Sequence, residues 1–128
     1  MIFSTMQKFK NLIVWQKAHS NVLELYKVTN TFPREELYGL TSQIRRAAIS
    51  IPANIAEGCA KDSDREFARY LRISLGSIHE TEYYLLLSQD LGILSKANAD
   101  ILVSNINEIK AMLLSLLKTI KAKTIIKQ

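Results

Sequence analysis

The stretch from Lys96 to Ala122, KANADILVSNINEIKAMLLSLLKTIKA, decides the fold. Its apolar residues Leu102, Ile106, Ile109, Leu113, Leu116 and Ile120 recur at alternating steps of four and three. That spacing lines one side of an α-helix and seats it in the groove of a neighbouring helix. Ser95, just before the stretch, is suited to accept hydrogen bonds from the first free N–H groups. Working backwards, Gly92 marks the end of a preceding helix over about 64–91, and Ser63 with Glu66 three residues later forms a capping-box signal at its start. A helix over about 34–57 is expected to begin after Pro33, with Glu35 and Glu36 in its first turn and Gly58 as its C-terminal cap. Its seam is Leu37, Leu40, Ile44, Ala47, Ile51 and Asn54, and Pro52 within it predicts a kink. The first helix, about 11–29, places Leu12, Trp15, Ala18, His19, Val22, Leu23, Leu25 and Tyr26 on one side and Lys17, Ser20, Asn21, Glu24 and Lys27 on the other.

Four helices with short joints predict an all-α, antiparallel, up-down-up-down four-helix bundle, one domain over residues 1–128 with frayed ends at 1–8 and 123–128. Composition agrees: among 128 residues there are only Gly 4, Pro 2 and Cys 1, too few turn formers for many short strands and too few cysteines for a disulfide scaffold. No apolar run approaches the length of a membrane span, and Met1 to Thr5 carries no charged leader, so a cytoplasmic chain is expected. The third helix carries Phe67, Leu71, Leu75, Ile78 and Leu85 on one side, Ile73, Tyr84 and Leu87 on a second and Tyr83 on a third. A helix apolar on so many sides predicts burial against another subunit.

Enzymatic motifs are missing from the sequence. His19 and His79 lack a Glu three residues earlier, so the paired carboxylate–histidine ligands of a di-metal bundle are not formed and no metal or other cofactor is called for. His19 is expected at the core edge between Trp15 and Tyr26, and His79 in solvent beside Arg72. Ser77, His79 and Glu80 point apart on a helix and make no relay. Cys59 has no cationic neighbour in sequence to activate it. No catalytic residue is assigned.

Polar residues on the apolar seams predict a structural network of Arg45, Arg46, Asn54, Glu57, Ser77 and Glu80 between the second and third helices or between subunits, with Glu57 and Glu80 needing partners. The charge is unevenly spread: Lys+Arg 17 against Asp+Glu 12 give a formal net charge of +5, and no acid follows Glu108. Lys110, Lys118 and Lys121 form one cationic row and Arg65, Arg69 and Arg72 a second, both suited to nucleic-acid phosphates without base readout. A protein-binding scaffold with no nucleic-acid role is the alternative.

The run Leu40-Thr41-Ser42-Gln43-Ile44-Arg45-Arg46-Ala47-Ala48-Ile49-Ser50-Ile51-Pro52-Ala53-Asn54-Ile55-Ala56-Glu57-Gly58 resembles the signature of the four-helix-bundle proteins encoded in intervening sequences of bacterial 23S rRNA genes. The likeness continues in Leu12 to Ala18, in Phe67, in Leu71-Arg72-Ile73-Ser74-Leu75-Gly76-Ser77 and in Glu80. It implies a bundle that assembles into a ring-like homopentamer with no established enzymatic activity. That family is similar in turn to the accessory protein of diversity-generating retroelements, a basic pentamer that works with a reverse transcriptase. An RNA or DNA partner, or a protein partner sharing the ring, follows from the resemblance as an expectation.

Overall fold

In the computed structural model, which describes residues 8–127, four helices follow a short 3-10 turn at Phe9–Asn11: α1 (Ile13–Thr29), α2 (Leu40–Cys59), α3 (Asp64–Asp90) and α4 (Lys96–Lys127). Each helix packs against its sequence neighbour and α1 closes the ring against α4, while the backbones of the diagonal pairs stay farther apart. Residue numbers rise along α2 as they fall along α3, and along α3 as they fall along α4: Gly58 faces Phe67 where Ser50 faces Ser77, and Asp64 meets Lys123 where Glu82 meets Lys110. The core between the helices is aliphatic, with Leu25, Ile44, Ile51, Ile55, Leu71, Ile78, Leu85, Leu102, Ile106, Ile109 and Leu113 all fully buried. Each such side chain contributes about 1.5–3 kcal/mol by leaving water. No described helix is long and apolar enough to cross a membrane.

The joints follow local chemistry. Ser63 Oγ accepts the Glu66 N–H at 3.1 Å and opens α3, and Ser95 Oγ accepts the Asn98 N–H at 3.2 Å and opens α4. Gly92 ends α3 in the left-handed region at φ 76°, a conformation that costs glycine nothing.

Four expectations need correction. The segment after Pro33 is a 3-10 turn, Arg34–Glu36, and α2 starts only at Leu40. The Glu36 carboxylate accepts the Leu40 N–H, so this acid caps α2 from outside, while Leu37 and Tyr38 are left exposed. Gly58 is not a cap: α2 continues through Cys59, and Gly58 is where α3 comes closest, so that an added Cβ would lie 3.0 Å from both Phe67 Cδ1 and Tyr70 Cβ. On α1 the buried stripe is Val14, Ala18, Asn21, Leu25 and Thr29; Ala18 and Leu25 are buried as expected and Leu12, Trp15 and Val22 pack at its edge, but Leu23 and Tyr26 face out and Asn21 faces in. Finally, α4 runs to Lys127, past the expected end at 122 and through most of the tail expected to fray; residues 1–7 lie outside the described residues.

Candidate nucleic-acid interface

The fold gathers cations that are scattered in the chain. Asp64–Lys123 joins the start of α3 to the end of α4, Gly58 joins the end of α2 to the start of α3, and residues 11–14 share a groove with residues 111–119. Segments 8–12, 57–72 and 113–123 therefore meet in one half of the bundle. They carry nine Lys/Arg (Lys8, Lys10, Lys61, Arg65, Arg69, Arg72, Lys118, Lys121, Lys123) against four Asp/Glu (Glu57, Asp62, Asp64, Glu66). Segments 13–56 and 73–112 carry seven against eight. A formal +5 spread over the chain is in space a charged half joined to a nearly neutral one.

Both cationic rows foreseen from sequence reach this half, except Lys110. Its ammonium lies 2.6 Å from Glu82 and is largely covered, so it ties α4 to α3 and is no part of an open row. Lys118 and Lys121 are exposed. Arg65, Arg69 and Arg72 open an outward stripe on α3 that continues at the same four-and-three spacing through Gly76, His79, Tyr83 and Leu86, every one of them exposed. The stripe is cationic in the charged half and carries no Lys or Arg beyond it. Arg69 is held bidentately by Glu66 through Nε at 3.0 Å and Nη2 at 3.3 Å, and its guanidinium lies 4.6 Å from the Tyr70 ring centre. Lys61 Nζ is 5.1 Å from the same ring and 3.2 Å from Glu57. Tyr70 thus carries cations on its π-face, an attraction that orients both side chains. The hydrogen bond from Arg69 pulls the Glu66 carboxyl below its ordinary value, and the bond to Glu57 raises the Lys61 ammonium. The sequence alone gave no sign that Lys8, Lys10 and Lys61 join the rows, since their neighbours in space come from other helices.

Of the six residues expected to form a polar network, the structure brings together two. Asn54 Nδ2 donates to the Ser50 carbonyl at 2.8 Å and to Ser50 Oγ at 2.9 Å, and Ser77 Oγ donates to Ser50 Oγ at 2.8 Å, bridging α2 and α3. Ser50 is the member that was missed; Ser74, also a polar residue among the apolar positions of α3, donates its hydroxyl to the Ile51 carbonyl at 2.9 Å. Arg45 turns the other way, donating to Thr29 Oγ1 at 2.9 Å and Asn30 Oδ1 at 3.1 Å and lying 4.4 Å over Tyr26. Arg46, Glu57 and Glu80 are exposed, so the burial cost that called for partners does not arise.

His19 also differs from expectation: it is exposed, with its ring stacked on Trp15 at 5.0 Å and 6°. His79 is exposed, with Nδ1 3.6 Å from Glu82. Ser77 faces α2 while Glu80 lies in solvent, so no relay forms. Cys59 is buried, which pushes its thiol up to about 11. Among the described residues no group of three His, Cys, Asp or Glu is placed to hold a metal ion.

An all-α four-helix bundle with one cationic half and an exposed stripe on α3 is thus the class of protein that fold and surface define. Residues 10–115 match the model of the 23S rRNA-intervening sequence protein family, and the chain belongs to that family. A solved structure from Bacteroides thetaiotaomicron VPI-5482, a protein of unknown function from the S23 ribosomal protein family, is 27% identical. It superposes with a TM-score of 0.75 over 83% of this chain and 99% of that one. No curated protein sequence matches.

Proposed function

We propose that this protein is a non-enzymatic, homo-oligomeric scaffold of the cytoplasm that holds RNA or DNA by its phosphates, without reading bases. The convergence of nine cations against four acids in one half of the bundle carries the proposal. Rows of Lys and Arg release condensed counterions from a polyanion, a gain independent of sequence. The oligomer rests on α3: Tyr83 and Leu86 are each 56% exposed and Ile73 41%, and Gly76 between them has no atom outside its own helix within 4 Å of where a Cβ would lie. A mid-helix glycine weakens its helix, and no neighbour among the described residues demands this one. Close approach of a second copy does. The count of five rests on the family resemblance alone. A closed ring repeats each cationic half once per subunit, so weak contacts add as avidity.

The test is a mobility-shift titration of single-stranded and duplex RNA at about 50 and 200 mM salt, where counterion release makes affinity fall steeply. Arg65→Glu/Arg72→Glu and Lys118→Glu/Lys121→Glu are each expected to weaken binding to all sequences alike and to flatten the salt dependence. Lys110→Gln, whose ammonium is engaged by Glu82, is expected to have little effect. Absence of binding at the lower salt overturns the nucleic-acid reading and leaves the protein-binding scaffold.

A further inference from the structure

Among the described residues, Asn21 is the carboxamide left with both its buried donor and its buried acceptor unmatched. It is 2% exposed, and neither Oδ1 nor Nδ2 has a hydrogen-bond partner. Buried carboxamides are nearly always paired, because an unmatched group loses its bonds to water and gains none. Asn21 lines a groove of about 710 Å³ between α1 and α4, within the range of ligand-binding clefts. Gln16, Ser20 and Glu24 supply the α1 wall and Asn105 and Glu108 the α4 wall. The Lys17–Glu108 ion pair crosses from one wall to the other a single turn from Asn21. Both its side chains are about half exposed, and such a pair parts at little cost. Two carboxylates against one ammonium line the groove, and it lies outside the cationic half. It is built to attract a cation and to repel a polyanion.

We propose that this groove binds an extended, basic peptide segment of a partner protein, its backbone paired to Asn21. In an extended chain the N–H and C=O of one residue point the same way, as in an antiparallel ladder. The carboxamide matches that pair atom for atom: Oδ1 accepts the N–H and Nδ2 donates to the C=O. A helical segment has already used those groups internally. From Ile13 to Glu24 the groove follows α1 for about 16 Å at 1.5 Å per residue, the length of about five extended residues. Ile13 on α1, 59% exposed, and Ile101 on α4, 53% exposed, give each wall of the groove one apolar seat for a side chain. Glu24 and Glu108 receive the basic side chains between them.

The probe is the blocked pentapeptide Ac-Ile-Lys-Ile-Lys-Ile-NH2, titrated into the full ¹⁵N-labelled chain with the side-chain amide signals of Asn21 followed by NMR. Ac-Ile-Glu-Ile-Glu-Ile-NH2 and hexauridylate serve as the reversed-charge and nucleic-acid arms. The lysine peptide is expected to shift the Asn21 signals saturably and the glutamate peptide to bind at least about tenfold more weakly, the factor that one ion pair of moderate strength supplies. Asn21→Leu and Asn21→Ala each remove the amide; whichever keeps a cooperative thermal transition is expected to lose binding by a similar factor, read in parent and variant alike from the backbone amide signals of α1 and α4. No shift at millimolar lysine peptide, equal response to both peptides, retained binding in a folded Asn21 variant, or response to hexauridylate alone overturns the proposal. Each of these outcomes leaves the cationic half untouched, so the peptide groove and the phosphate-binding surface fail separately.

Discussion

Gly58→Ala is the substitution that most directly tests how α2 lies on α3. A Cβ at that position meets Phe67 Cδ1 and Tyr70 Cβ at 3.0 Å and the Phe67 carbonyl oxygen at 3.3 Å. Two of these three are a backbone atom and the first carbon of a side chain, which move only with α3 itself. The third belongs to Phe67, 4% exposed within the core. Overpacking a filled site costs about 1–3 kcal/mol. Against it stands the better helix propensity of alanine, at most about 1 kcal/mol and less in a last turn. The expected net loss is about 1–2 kcal/mol, which for a chain of this size lowers Tm by about 5 °C. Urea unfolding followed by circular dichroism, at one fixed protomer concentration because assembly adds to stability, gives the number. Trimming the neighbour supplies the internal check: Gly58→Ala should cost less in a Phe67→Leu background, because the two changes are coupled through one contact. A Gly58→Ala protein as stable as the parent refutes the close crossing and restores Gly58 to a mere helix stop.

Other expectations follow from single residues. Ile106→Ala, fully buried in α4, is expected to lower unfolding free energy by about 2–5 kcal/mol in the same assay; a loss under 1 kcal/mol would mean that the four-and-three seam of α4 is not the core. Gly76→Ala is expected to strengthen α3 by about 0.5–1 kcal/mol, while a Cβ on the proposed contact face lowers the oligomer mass in light scattering; an unchanged mass removes Gly76 from the interface. Cys59 should resist a thiol reagent such as dithionitrobenzoate in native protein at pH 8 and react once urea unfolds it. Its raised thiol also fixes a sign: stability is whole below about pH 8.5, where the unfolded thiol ionises, and declines as pH climbs toward about 11. A flat stability across that window contradicts the buried placement.

How much of this was legible in the sequence depends on whether the cause lies within one helix. Ser63, Gly92, Ser95 and the α4 seam act through groups within one or two turns, and each appears in the structure where the sequence places it. Gly58 was misread because a glycine near a helix end has two uses, a turn or a close crossing, and only the neighbouring α3 decides between them. Asn21 was misread because hydropathy sorted α1 by its large residues; Trp15 and Tyr26 mark its flank, and the narrow inner stripe passes through small Ala18 and polar Asn21. Lys110 looked free because Glu82, its partner, lies on another helix. The cationic half was visible only as two separate rows for the same reason.

The four-residue joint between α2 and α3, closed by Gly58 against Phe67 and bridged by Ser50 and Ser77, also sets the order in which the chain loses entropy. Closing a short loop costs little, and the α2–α3 hairpin and, across the comparably short joint 91–95, the α3–α4 hairpin can both form before α1 closes the bundle. The contact of α1 with α4 joins residues such as Lys17 and Glu108 from opposite ends of the chain and has the longest loop to close. The groove around Asn21 lies on that last-formed seam, so the part of the bundle that binds a partner in our proposal is also the part whose opening asks least of the rest.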